Sequence, residues 1–361
     1  MGKHGVSNSP GPAVVVIGDG VAGAATAFAL ARLGAAVTIL DAGLPGRATD
    51  AGAGIVQPWS TSAGGDFYEL YAAGADFYPE LIDRLAEAGV HDIGYRRSGA
   101  LVVNREAAVI DEVEARVRGR AAASRTAGEV RRVGAAEARE LFPPLADDLH
   151  ALHIAGGARV DGRALRTGLL AAATALGATH LDATAALDAD RVVTVDGETV
   201  PADAVVVAAG AWTDRVLLPL GVRVPVEPQR GQLVHLRVDA DTRAWPSVHP
   251  VAPHYLVAFD AGRIVAGATR EAGSGFDARV TAAGVRQVLD DALAIAPGLA
   301  DATVVETRVG LRPAPEGDLP TAGPVDDRPG LYVSTGFGAG GLTMGPLIGD
   351  LLAERILATL A

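Results

Sequence analysis

The chain enters its folded part through a strand, a glycine-rich turn, a helix of small residues and a second strand, in the segment PAVVVIGDGVAGAATAFALARLGAAVTILDAG. Gly18 allows the backbone to turn sharply out of the first strand, and Gly20 lets a pyrophosphate approach the main chain. Gly23 lets the helix lie close on the sheet, and the amino end of that helix then faces the phosphate. This spacing predicts a dinucleotide-binding βαβ unit, with an ordinary βαβ core as the alternative.

Two acidic residues flank this turn. Asp41 follows Gly18 by 23 positions and ends the second predicted strand. A carboxylate there can accept hydrogen bonds from both hydroxyls of an adenosine ribose, which argues against a 2′-phosphate and hence against NADP. Asp19 lies inside the turn itself, where its charge repels a phosphate unless the side chain points away.

Composition narrows the class of protein. A length of 361 residues predicts two domains, and 31 basic against 43 acidic residues give a net charge of −12, which argues against nucleic acid and against an anionic membrane as partners. The absence of cysteine excludes disulfides, thiol nucleophiles, cysteine metal sites and any thioether-linked cofactor. We expect no metal site, no membrane span, a disordered tail over residues 1–12 and a cytoplasmic location.

Periodicity along the chain predicts two lobes. An amphipathic helix follows the loop after Asp41, and residues 99–104 read as a strand between polar-faced helical segments at 107–118 and 135–141. The segment from PVEPQRGQLVHLRV to HYLVAFDAGRIVAGATR alternates as an antiparallel sheet does, with a turn at Ala261 and Gly262. The sequence therefore predicts an α/β nucleotide domain with a second, antiparallel lobe.

Three segments of small residues follow predicted strands, at 51–54, 208–210 and 336–341. Each alone is explained by an ordinary turn. Together they favour FAD over NAD, because a flavin dinucleotide runs across the whole sheet and needs bare backbone along its path. The last segment leads into a helix whose positive amino end can stabilise negative charge at the flavin pyrimidine edge.

The chain resembles the FAD-dependent D-amino-acid oxidase and glycine oxidase superfamily (the DAO family). Four segments carry the resemblance: VIGDGVAG, ATDAGAGI, PQRGQLV, and VGLRPAPEGDLPTAGP leading to GLYVSTGFGAGGLTMGP. It implies a Rossmann-like FAD-binding domain of the DAO type with an inserted α+β substrate domain built on an antiparallel sheet. The FAD domain is expected at 13–85, 158–225 and 308–361, and the substrate domain at 86–157 and 226–307.

The resemblance also implies roles for two side chains. Arg312 matches the arginine of the family's GLRP motif, which binds the substrate carboxylate, and a guanidinium can grip a carboxylate with two parallel hydrogen bonds. The alternative for Arg312 is a salt bridge with an acid such as Asp318. Tyr255 matches a substrate-contacting tyrosine, and its alternative is a core aromatic.

One departure from glycine oxidases stands at Ala339, where they carry an arginine in the final glycine loop. That loop is closer to the D-amino-acid dehydrogenase branch and leaves room for a bulkier substrate. Because the chain has no cysteine, FAD is expected to bind noncovalently. The residues expected to contact FAD are Gly18, Gly20, Val21, Ala22, Gly23, Asp41, Ala42, Thr49, Gly52, Ala53, Gly54, Ile55, Ala186, Ala209, Gly210, Trp212, Gly338, Ala339, Gly340, Gly341, Leu342 and Thr343.

These features predict FAD-dependent oxidation of the C–N bond of a small amino acid or N-substituted amino acid. Hydride transfer to flavin N5 gives an imine, which hydrolyses to a keto acid and an amine. Oxygen or an unidentified carrier then accepts the electrons. His249 and His254 are expected near the site without a proton-transfer role. The alternatives are an NAD-dependent dehydrogenase and a noncatalytic, flavin-stabilised protein that binds amino acids.

Overall fold

A computed structural model describes residues 11–188, 191–194 and 196–361. Residues 1–10 of the expected N-terminal tail lie outside the described residues. The helices of the described part are α1 (Val21–Arg32), α2 (Ala48–Ala51), α3 (Gly65–Glu87), α4 (Ala107–Ala121), α5 (Ala135–Leu141), α6 (Gly162–Ala175), α7 (Thr213–Leu217), α8 (Ala282–Ile295) and α9 (Gly341–Leu360). Short 3₁₀ segments cover Gly210–Trp212, Leu218–Leu220 and Pro297–Leu299.

The strands of the same part form four sheets. They are β1 (Ala13–Ile17), β2 (Ala36–Asp41), β3 (Ile55–Val56), β4 (Arg96–Arg97), β5 (Ala100–Asn104), β6 (Val130–Val133), β7 (His150–Ile154), β8 (Ala158–Arg159), β9 (Thr179–Asp182), β10 (Ala185–Asp188), β11 (Arg191–Thr194), β12 (Thr199–Val200), β13 (Ala204–Val207), β14 (Val226–Arg237), β15 (Ser247–Pro250), β16 (Tyr255–Ala258), β17 (Arg263–Gly267), β18 (Thr303–Pro315), β19 (Thr321–Pro324) and β20 (Leu331–Thr335).

The first sheet has the order β19-β20-β13-β1-β2-β9, and only β19 among these strands runs antiparallel to its neighbour. Its central strand β1 is apolar throughout because a parallel sheet is covered on both faces. Val14 and Val16 pack into the core on the side of α1, α6 and α9, whereas Val15 and Ile17 pack on the opposite side. The predicted α/β, Rossmann-like fold around this sheet is confirmed.

The two faces of this sheet are covered differently. On one face α1 and α9 approach so closely that a Cβ on Gly349 would lie 2.7 Å from the backbone nitrogen of Thr26. Small residues therefore set the spacing of these helices. On the other face lie α7 and the three-stranded antiparallel sheet β10-β11-β12, and Leu187 of β10 and Val200 of β12 share one core with β1 and β13.

The second large sheet has the order β18-β14-β17-β16-β15-β5-β7-β6, with all pairs antiparallel except β15 and β5. Ala261 and Gly262, with φ of 59° and 73°, make the tight turn between β16 and β17. Two positive φ values in a two-residue loop match the right-handed twist of a hairpin. The predicted antiparallel lobe and its turn are confirmed.

Strand β18 links the two lobes. It pairs with β14 over almost its full length and thereby belongs to the eight-stranded sheet, although the predicted domain boundary falls within it at residue 308. The division into an FAD domain and a substrate domain stays a prediction. Within the described residues, every helix is too short or too polar to cross a membrane.

Candidate functional site

One cavity of about 1210 Å³ connects the carboxyl edge of the six-stranded sheet with the eight-stranded sheet. Its wall includes Gly18 after β1, Asp41 at the end of β2 and Ala208 after β13, and it continues to Tyr255 and Arg312. Ligand pockets usually measure roughly 300 to 1,000 Å³. The cavity therefore has room for an extended cofactor together with a small substrate.

The glycine turn at the start of α1 is tightly built. Gly18 has φ of +101°, and a Cβ there would lie 2.5 Å from the Ala208 carbonyl oxygen. A Cβ on Gly23 would lie 1.9 Å from the Gly18 carbonyl oxygen, so α1 rests directly on the turn. Gly20 precedes the first turn of α1 without a side-chain cap. Glycine leaves no side chain between the turn and the cavity, although the Val21 amide already donates to Thr49 Oγ1 at 2.9 Å.

Asp19 does not face the cavity. It is 1% exposed, and its carboxylate is bound by Arg166 and by Arg47, whose Nη2 lies 2.9 Å from Oδ1. Burial raises the pKa of Asp19, and the hydrogen bond from Arg166 opposes that rise. Two arginines thus neutralise the negative charge of Asp19 that the sequence placed beside the phosphate. The backbone amide of Asp19 donates to Asp41.

Asp41 ends β2 as a fixed acceptor on the cavity wall. Its Oδ2 accepts from the Asp19 amide at 3.0 Å, and its Oδ1 accepts from the Gly43 amide and from Arg47 Nη2, both at 2.7 Å. Burial alone would raise the pKa of Asp41, but these donors hold it below its usual value. Asp41 therefore stays ionised, which suits a carboxylate that accepts hydrogen bonds from ribose hydroxyls.

The far end of the cofactor path is formed by the last glycine loop. Gly340 precedes α9 without a side-chain cap, and Gly341 and Leu342 lie on the cavity wall. Ser334 lies on the same wall, and its Oγ is buried without a hydrogen-bond partner among the described residues. Buried polar atoms are normally paired, so this hydroxyl points to a polar ligand. The amino end of α9, the amino end of α1 and this unpaired hydroxyl all belong to one cavity wall, and together they fit FAD.

Arg312 extends from β18 across the neighbouring strand. It pairs with Gln229 of β14, and its guanidinium covers Gly231, where a Cβ would lie 2.4 Å from Nη2. Nη1 donates to the Thr269 carbonyl oxygen at 3.0 Å. The ion pair with Asp318 that sequence left open is absent from the described residues, and Asp318 is exposed.

Tyr255 faces the same part of the cavity from β16. Burial raises the pKa of its hydroxyl, although the nearby Arg312 and Arg270 guanidinium groups oppose that rise. The phenol is therefore neutral at pH 7 and can donate a hydrogen bond. Its ring packs close to Gly267, where a Cβ would lie 3.0 Å from Cε2.

Further residues of the wall were missed by sequence reasoning. They include Tyr71 of α3, Arg116 of α4 and Arg270 after β17. Arg116 donates to the Ser60 carbonyl oxygen at 3.2 Å. The only available signal was the arginine of GATRE, three residues after the end of β17, since helical periodicity does not say which lobe a polar residue faces. His249 lies on the wall as expected, and burial lowers its pKa to about 4.

Most of the predicted site residues meet on this one wall. Arg312 and Tyr255 do so, as do the following predicted FAD contacts: Gly18, Gly20, Val21, Ala22, Asp41, Ala42, Thr49, Gly52, Ala53, Gly54, Ile55, Ala186, Ala209, Gly210, Trp212, Gly338, Ala339, Gly340, Gly341 and Leu342. Gly23 lies behind the wall, under the phosphate turn. Thr343 also lies behind it, and its Oγ1 donates to the Ile55 carbonyl oxygen at 2.9 Å.

Comparisons with known proteins agree with this geometry. Residues 13–355 match the DAO family, described as FAD dependent oxidoreductase. The crystal structure of iminodiacetate oxidase (IdaA) from Chelativorans sp. BNC1 superposes with a TM-score of 0.93 at 49% identity, covering 96% of this chain and 95% of that one. The uncharacterized oxidoreductase YurR of Bacillus subtilis is 47% identical over 95% of this chain and 94% of its own length. Glycine oxidase of Pseudomonas putida is 34% identical over 95% of this chain and 96% of its own length.

Proposed function

This chain belongs to the DAO family of FAD-dependent oxidoreductases, and we propose that within this family it oxidises the C–N bond of a small N-substituted amino acid, a secondary amine. The family match confirms the predicted cofactor, FAD, and the predicted enzyme class. It also sets aside the two alternatives, an NAD-dependent dehydrogenase and a noncatalytic binding protein. The substrate, the roles of the site residues, the use of oxygen and the cytoplasmic location belong to the proposal.

The observation that carries the proposal is the Arg312 guanidinium on the cavity wall. Within the described residues the guanidinium donates to the Thr269 carbonyl oxygen and hydrogen-bonds the Tyr255 hydroxyl, and no carboxylate forms an ion pair with it there. A guanidinium presents parallel donors that match a carboxylate, and in a cavity sheltered from water such a pair fixes the α-carbon in place. Arg312 is therefore assigned the substrate carboxylate.

Bound FAD supplies the acceptor for a hydride from the substrate α-carbon. The chain's own residues hold the cofactor and position the substrate. The glycine turn and the positive amino end of α1 would hold the pyrophosphate of FAD, and the amino end of α9 could stabilise negative charge on the flavin. None of Tyr255, His249 and His254 is a strong base at neutral pH: Tyr255 is protonated, and burial lowers the pKa of His249 to about 4 and also lowers that of His254. The amine is expected to bind in its neutral form.

The choice of a secondary amine depends on the shape of the last glycine loop and on the relatives. Ala339 offers only a methyl group where glycine oxidases are expected to carry an arginine, so the cavity keeps space beside the amine nitrogen. The similar structure with 49% identity is an iminodiacetate oxidase, and iminodiacetate is a secondary amine. Because these relatives are oxidases by name, we propose oxygen as the electron acceptor.

Anaerobic mixing of the holoenzyme with single substrates tests the proposal. Iminodiacetate and sarcosine are expected to bleach the visible flavin absorption faster than glycine or D-alanine. Admission of air should restore the absorption and release hydrogen peroxide. Failure of both secondary amines to bleach the flavin would contradict the proposed substrate class. Recovery of the absorption only with a quinone would contradict the oxygen step alone.

A further inference from the structure

The cavity wall carries more positive charge than the rest of the chain leads one to expect. The protein has a net charge of −12, yet the wall includes five arginines and only two carboxylates, Asp41 and Asp318. Two of these arginines have a side-chain partner: Arg47 forms an ion pair with Asp41, and Arg215 stacks at 3.6 Å over the Phe276 ring. The remaining arginines are Arg116, Arg270 and Arg312.

Arg270 and Arg312 leave the sheet on the same face. Arg230 of β14 bridges Glu271 in antiparallel fashion, so the next residue of β14, Gly231, lies beside Arg270. Side chains that lie opposite each other on neighbouring strands project to the same face. The Arg312 guanidinium occupies that face of Gly231 and donates to Thr269, the residue before Arg270.

Arg270 has no hydrogen bond or ion pair within the described residues, and its side chain is exposed where the cavity meets solvent. Its flanking acid, Glu271, is held by Arg230 at 2.7 Å and is not available to it. Burial lowers the pKa of Arg312, and the neighbouring positive charge of Arg270 lowers it further. Two adjacent guanidinium groups without a carboxylate between them are stabilised when an anion binds both.

We propose that Arg270 binds a second carboxylate of the substrate, so that the enzyme selects amines carrying two carboxylates over those carrying one. The inference rests on the proposed function, since it assigns one carboxylate to Arg312 and the other to Arg270. Iminodiacetate has the required form, with a carboxylate on each side of a secondary nitrogen. Sarcosine is the matched probe, because it keeps the secondary nitrogen and one carboxylate and replaces the other arm with a methyl group.

The test compares kcat/KM for iminodiacetate and for sarcosine in the wild type and in Arg270→Met. A charge-assisted hydrogen bond contributes about 1.5 to 3 kcal/mol, so the variant should lose about 10- to 100-fold on iminodiacetate. On sarcosine it should change by less than about 3-fold. Arg286→Met is the matched control, because it removes the same charge from an exposed position of α8 that does not line the cavity. It should leave kcat/KM unchanged for both iminodiacetate and sarcosine. Arg270→Lys should recover part of the loss.

Each other outcome overturns the inference. Equal losses on both substrates in Arg270→Met would show a general effect on the site, and no loss on either would show that Arg270 is not used. If Arg116→Met lost kcat/KM only for iminodiacetate while Arg270→Met kept it, the second carboxylate would be assigned to Arg116. These results differ from failure of the proposed function, in which the wild type oxidises neither substrate.

Discussion

Gly231→Ala is the sharpest probe of the assigned carboxylate site, because it changes no charge and touches one side chain. Gly231 has no positive φ, so alanine fits its backbone without strain. The added methyl group, however, would lie 2.4 Å from Nη2 and 2.5 Å from Cζ of Arg312. The guanidinium must therefore move off Gly231, away from its bond with the Thr269 carbonyl oxygen.

The size of the effect follows from that movement. Ordinary van der Waals contact begins at 3.4 Å, so the guanidinium retreats by about 1 Å. A misplacement of about 1 Å in a positioning group costs about 100-fold in rate, which corresponds to about 3 kcal/mol of transition-state binding. We expect the kcat/KM of Gly231→Ala for an amino-acid substrate to fall about 100-fold. The melting temperature should move by only a few degrees, since the shifted group is the end of a flexible side chain.

Steady-state kinetics and thermal unfolding of the holoenzyme measure the two quantities. Gly317→Ala is the control: Gly317 lines the same cavity, and a Cβ there meets nothing within 4 Å, so its kinetics should be unchanged. A Gly231→Ala enzyme with wild-type kcat/KM would refute the reasoning, because it would mean that the position of Arg312 does not matter. An unfolded or flavin-free variant would refute the claim that only Arg312 responds.

Three further predictions use other parts of the structure. Arg312→Met should cost about 3 to 5 kcal/mol of transition-state binding, seen mainly in KM, with normal flavin absorption; unchanged kinetics would remove Arg312 from the site. Gly23→Ala should abolish FAD retention, because its Cβ would lie 1.9 Å from the Gly18 carbonyl oxygen, whereas Gly119→Ala, with open space around it, should purify yellow. Burial lowers the pKa of His235 from 6.5 to about 4, so the unfolded state takes up the proton first as the pH falls. Between pH 6.5 and 4 the wild type should lose up to about 3 kcal/mol of unfolding free energy through this residue, and urea unfolding of His235→Gln should show a shallower pH slope, unlike that of exposed His91→Gln.

The nucleotide end of the molecule was accessible from sequence because its determinants are local. Gly18, Gly20 and Gly23 act within one turn and one helix, and their spacing carries the geometry. The turn at Ala261 and Gly262 was equally readable, since a two-residue loop needs positive φ at both positions. The start of α6 is equally local, because the Asp161 side chain caps it by accepting from the amides of Arg163 and Ala164.

The pairing of charges was not accessible, because it joins residues far apart in the chain. Asp19 looked unfavourable beside a phosphate until the structure placed Arg166, 147 positions away, against its carboxylate. Arg312 crosses β14 on the side of Arg270 at a glycine, Gly231, where a Cβ would lie 2.4 Å from Nη2. A sequence pattern gives the face of a strand, but it does not give the neighbour on the next strand.

On the proposed function, two features would let this acidic protein take an anionic substrate: Gly231, which leaves room for Arg312, and arginines that lack a carboxylate partner among the described residues. The surrounding excess of carboxylates acts mainly through solvent, where a Debye length of about 8 Å at physiological ionic strength screens it. Arg312 is half-buried and keeps more of its attraction at short range, and Arg270 is exposed where the cavity opens. An anion would therefore be met first by an exposed guanidinium and then by a half-buried one, so local placement of charge, rather than net charge, decides what this cavity binds.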